Sequence, residues 1–129
     1  MDALMDFLDA AGRGNIDRVV SLIKGGAVKV DDRSSRTGQG ALHSAAVNGE
    51  IEMIRVLLGQ AARVDLENEH GNTPLFDAVL NGHTKAVEEL IKAGANVSHK
   101  NREGMSPLAL AVIEGDLAIA RLLVEAGAR

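Results

Sequence analysis

The chain has 129 residues, 46% hydrophobic and 25% charged, which suits one compact unit and is too apolar for a disordered chain. Its formal charge is −4, no cluster of four or more Lys/Arg occurs, and cysteine is absent, which argues against nucleic acid, anionic membranes, disulfides, thiolate zinc sites and a cysteine nucleophile. With two Phe and no Trp or Tyr, the core must be built from Ala, Val, Leu, Ile and Met, which favours close-packed helices over an aromatic-rich β-sandwich.

The first residues, Met1 to Asp17, carry acids where a secretory leader would be basic, and no apolar run approaches the ~18 residues of a membrane span. The expected setting is intracellular, in cytoplasm or nucleus. Ala10-Ala11, Gly14, Ile16 and Leu22-Ile23 then match Ala45-Ala46, Gly49, Ile51 and Leu57-Leu58 at an offset of 35. From there the period is 33, because Leu42, Leu75 and Leu108 recur at that interval, as do Gly38, Gly71 and Gly104, then Gly49, Gly82 and Gly115. The two extra residues of the first interval fall near Val28 and in the polar stretch 31–39, where a connecting loop absorbs insertions.

Each period reads as two short helices. Thr73 and Ser106 are N-caps, with Pro74 and Pro107 in the first turn; Asn81-Gly82 and Glu114-Gly115 close that helix. The second helix shows apolar spacing, as in Ile16, Val19, Leu22, Ile23 and Ile51, Ile54, Leu57, Leu58, and Gly94 and Gly127 end it. Polar segments between the pairs read as tight turns.

These residues resemble the ankyrin repeat family. The resemblance is carried by Gly71-Asn72-Thr73-Pro74-Leu75, Ala78, Gly82-His83, Val87, Leu90-Ile91 and Ala93-Gly94-Ala95-Asn96-Val97, and it covers nearly the whole chain. It implies an all-α, ankyrin-type helical solenoid with short β-turn or hairpin loops, one domain over 1–129 with repeats at about 4–34, 35–67, 68–100 and 101–129. The sequence departs from the family in lacking an intact Thr-Pro-Leu-His: Gly40-Ala41 precedes His43, while Phe76 and Ala109 replace the histidine. The family's Thr–His hydrogen bonding is therefore expected to be missing. Arg18, standing where later copies are apolar, and Ser21, where two of the three are, mark the first copy as a solvent-facing cap. Leu110, Ile119 and Leu122 make the last copy unusually apolar; either Leu110 and Leu122 occupy slots that are commonly apolar in the family, or this face is covered by further repeats of a longer chain or by a second copy.

The resemblance further implies a non-catalytic module that binds another protein through its concave surface, with no cofactor. The matching loop positions are Arg36, Thr37 and Gln39; Glu69, His70 and Asn72; and Arg102, Glu103 and Met105. The matching helix positions are Val47-Asn48, Leu80-Asn81 and Ile113-Glu114. Val47, Leu80 and Ile113 would form an apolar ladder edged by polar side chains, as at many interfaces, unless they pack between neighbouring helices. Homo-association through the C-terminal repeat is the alternative function. His43, His70, His83 and His99 have neither i, i+4 pairing nor cysteine support, so they read as structural or solvated rather than metal-binding. No P-loop or G-x-S-x-G is present, and the adjacent His43-Ser44 does not make a triad by adjacency alone, so nothing suggests an enzyme.

Overall fold

A computed structural model describes residues 2–129. Among them the chain forms eight helices and no strand: α1 Ala3–Arg13, α2 Ile16–Lys24, α3 Ala41–Val47, α4 Ile51–Gly59, α5 Pro74–Leu80, α6 Thr84–Lys92, α7 Pro107–Glu114 and α8 Leu117–Glu125. They make four helix pairs arranged in two rows. The odd-numbered helices pack in the order α1, α3, α5, α7; α4, α6 and α8 form the outer row, with α2 against α1. The expected all-helical solenoid is therefore the observed architecture.

Local chemistry sets the helix starts. The Thr73 hydroxyl accepts from Phe76 N–H and the Ser106 hydroxyl from Ala109 N–H, each with proline following in the first turn. Asp2, Asn15 and Asp116 cap α1, α2 and α8 in the same way. α3 begins at Gly40, which has no side chain to cap with. Instead His43 Nδ1 accepts from Gly40 N–H at 3.2 Å.

Helices this short are marginal alone, so burial between layers holds them. Val19, Ile54 and Val87 form one fully buried column of the outer row, and Leu57, Leu90 and Leu123 another. Ala11, Ala45, Ala78 and Ala111 are fully buried in the inner row, where a small side chain lets neighbouring helices approach. Arg18 and Ser21 are exposed on the first repeat, and Arg18 pairs with Asp6 across α1 and α2.

Consecutive repeats are stitched at their loops. Glu69 N–H donates to Thr37 O, and Arg102 N–H to His70 O, both at 3.0 Å. Arg63 N–H and Asn96 N–H donate to the carboxylates of Asp31 and Asp65 in the preceding repeat, each at 3.0 Å. This ladder locates the two extra residues. The Asp31–Asp65 equivalence places one upstream of Asp31. The other widens the first loop tip, which closes from Ser34 N–H to Gln39 O, whereas later tips close from Asn68 to Asn72 and from Asn101 to Met105.

Candidate functional site

The side chains named from the sequence divide by environment. Leu80 is 48% exposed and Ile113 68%, while Val47 is half-buried, so the ladder emerges from the surface progressively toward the C-terminal repeat. Leu80 and Ile113 are thus solvent-facing apolar side chains at one repeating helical position. Asn48, Asn81 and Glu114 lie exposed beside them. Asn48 Nδ2 also donates to Gly12 O at 2.9 Å, and Asn81 Nδ2 to Asp77 O at 2.8 Å, so these two amides are oriented by the backbone.

At the loop tips, Arg36, Glu69, His70, Arg102 and Glu103 are exposed. Gln39, Asn72 and Met105 are not tip residues in the same sense. Each is half-buried at the base of its loop. Asn72 Oδ1 accepts from Asn101 Nδ2 and its backbone carbonyl from Asn68 N–H, so it is chiefly a joint between repeats.

Three histidines are joints as well. His43 is fully buried; its Nε2 donates to Asn72 O at 2.9 Å while Nδ1 accepts from Gly40 N–H, which fixes the neutral tautomer. Burial pushes its pKa down. No Thr–His hydrogen bond occurs among the described residues, as expected; in this copy a glycine amide, not a threonine, is the partner of His43 Nδ1. His83 Nε2 donates to Val47 O at 2.9 Å and His99 Nε2 to Gly71 O at 3.0 Å.

Asp77 had no marked role in the sequence. It is buried on α5 at the slot held by Ser44 and Leu110 in the flanking repeats. Its Oδ2 accepts from Gln39 Nε2 at 3.2 Å, and Gln39 Oε1 accepts from Asn68 Nδ2 at 3.0 Å. Desolvation raises its pKa to about 6, although the Gln39 hydrogen bond and the His70 charge oppose the shift. The available signal was an acid at a slot that is leucine one repeat later.

The apolar C-terminal repeat needs correcting in detail. Leu110 and Ile119 are buried and Leu122 is half-buried beside Ile91, so they complete the stack. Besides Ile113, the exposed apolar side chains of this repeat are instead Val112 at 62%, Val124 at 57% and Leu117. The slot of Val112 is fully covered at Ala46 and nearly so at Val79, because there the next repeat packs on it.

The four-pair stack with stitched loops defines a helical-repeat architecture. The family model for ankyrin repeats (three copies) matches residues 7–101 and 67–129, and the chain belongs to the ankyrin repeat family. Ankyrin repeats are generally protein–protein interaction modules. A search of curated proteins returned no match. No helix among the described residues is long and apolar enough to cross a membrane.

Proposed function

We propose that this chain is a non-catalytic adaptor or regulatory module, intracellular, that grips a partner protein through its concave face. The observation carrying this reading is the exposure of Leu80 and Ile113 at one repeating slot, on helices whose preceding loops present Glu69, His70, Arg102 and Glu103. An apolar strip with a charged, solvated edge gives burial at the centre and discrimination at the rim. Replacing both Leu80 and Ile113 by Ser is expected to abolish capture of the partner in a pull-down, with the melting temperature little changed. A partner captured equally by the double variant would sink the reading.

A second reading, pairing of two copies through the C-terminal repeat, is supported by Val112 and Val124. Val112 leaves apolar area in water at a slot that internal repeats cover, and Val124 at one that they half-cover. Light scattering over a concentration series discriminates: pairing predicts a mass that doubles in the wild type and stays monomeric in Val112→Lys. A wild-type mass that is monomeric throughout excludes it.

A further inference from the structure

Resting on the reading of the concave face as the gripping surface, we infer that a cleft between α1 and the first loop is an anchor site. It fits a bulky apolar side chain of the partner with an adjacent Asp or Glu. The cleft measures about 610 Å³, against about 400 Å³ for the neighbouring one farther along α1. Its apolar wall is Leu4, Met5 and Leu8 of α1. Met5 is 56% exposed there, in a helix whose opposite side carries the buried Phe7, Ala10 and Ala11.

The opposing wall is the loop tip that carries an extra residue, and its chemistry is that of an anion cradle. Arg36 lies on this wall, exposed, and makes no ion pair among the described residues. The hydroxyl oxygens of Ser34 and Thr37 accept from Arg36 N–H at 3.2 Å and Gln39 N–H at 3.1 Å. With their acceptor side engaged, both hydroxyls have an O–H left to donate. A guanidinium and two hydroxyl donors facing an apolar wall select a carboxylate carried beside an apolar group. Asp2, the one acid lining the cleft, is engaged in capping α1, its Oδ1 accepting from Met5 N–H at 2.8 Å. The other acids of α1 are committed too: Asp6 to Arg18 and Asp9 to Arg13. Arg36 is the one cation lining the cleft and, with the two hydroxyls, sets a local preference for a carboxylate, although Asp2 keeps its charge and the whole chain carries −4.

The experiment is selection from a displayed random-peptide library on the full chain, followed by fluorescence-polarisation titration of the winners. The expected result is enrichment of Asp or Glu next to Leu, Ile, Met or Phe. Titration should show about tenfold weaker binding to both Met5→Ser and Arg36→Glu. The Arg36→Glu protein, taken through its own selection, should enrich Lys or Arg in place of the acid. Circular dichroism establishes that both variants keep the wild-type helix content; both sites are exposed, so their stability should be unchanged. Peptides that bind wild type and Arg36→Glu equally, pools with no acidic enrichment, or a library with no binders would each overturn the inference. Winners that respond to Leu80→Ser/Ile113→Ser but not to Arg36→Glu would overturn this site alone and leave the broader concave-face reading standing. Winners that respond to Arg36→Glu and not to the ladder variant would support the cleft while removing the ladder.

Discussion

Gln39 Nε2 donates to Asp77 Oδ2 at 3.2 Å, so a residue at the base of the first inter-repeat loop supplies the hydrogen bond to a carboxyl buried on α5. A carboxylate in this position has one neutral donor where water would offer several. The consequences are a pKa of about 6 and a stability that depends on pH.

For Asp77 the folded state binds its proton more tightly than the unfolded state. Its contribution is therefore full below the ordinary value of 3.8 and is lost as pH rises through about 6. The loss is on the order of 2–3 kcal/mol. Asp77→Asn, which cannot ionise and keeps an acceptor for Gln39, removes this dependence. Urea unfolding of both proteins across that window should show the variant gaining on the wild type as pH rises. Taking the difference cancels the other titrating groups, such as Glu89, whose pKa Arg55 holds down. Asp77→Leu, copying Leu110 one repeat on, should be the more stable protein at neutral pH. Parallel curves for wild type and Asp77→Asn would refute the buried-carboxylate account.

His43 acts in the opposite direction. Burial lowers its folded-state pKa below the usual 6.5, so its contribution is present above that value and is lost as pH falls toward the folded value. Replacing it by Phe leaves Gly40 N–H without an acceptor in a buried setting and takes from Asn72 O one of its two donors, at a cost of about 1–3 kcal/mol. Denaturant titration at neutral pH measures that cost. The same substitution in a mildly acid series should cost less, because the wild type is already losing the histidine's contribution.

The fold was legible because its determinants are local and repeat: caps at Thr73 and Ser106, proline after them, glycine at turns, leucines on one period. What Gln39, Asn72 and Asp77 do was not, because their roles arise between repeats. Asp77 reads as an ordinary polar helix residue until α3 and the first loop are packed against it. Leu110 and Val112 show the same limit. Two positions apart on a short helix, they have similar hydrophobicity, yet one faces the preceding repeat and the other an uncovered side. The exposure of Leu80 and Ile113 likewise had two readings in the sequence, and only the packed helices give their surface position.

Ala61 is the one non-glycine among the described residues with positive φ, at 68°, where the later repeats place Gly94 and Gly127. An L-residue in this region costs about 1–2 kcal/mol, partly offset by the greater freedom that glycine gives the unfolded chain. Ala61→Gly should therefore stabilise the protein by about 0.5–1 kcal/mol in equilibrium urea unfolding, with the m-value unchanged. Destabilisation would mean that the exposed methyl of Ala61 makes a contact worth more than the backbone strain.

Gly38 and Gly104 allow the stitch between loops to be weighed separately from backbone strain. Both have positive φ, 70° and 77°, so alanine suffers a comparable conformational cost at each. A Cβ on Gly38 would also lie 2.8 Å from Glu69 N, whereas one on Gly104 meets nothing within 4 Å. The first clash is with backbone, and with the very amide that donates to Thr37 O, so the loops must part to relieve it. Gly104→Ala should cost about 1 kcal/mol, the strain alone, and Gly38→Ala about 1–2 kcal/mol more. Amide hydrogen exchange separates the two costs: Glu69 N–H should lose protection in Gly38→Ala and keep it in Gly104→Ala. Because Thr37 and Arg36 share that tip, a loosened stitch should also weaken any ligand held on the Arg36 wall, while leaving contacts at Leu80 and Ile113 intact.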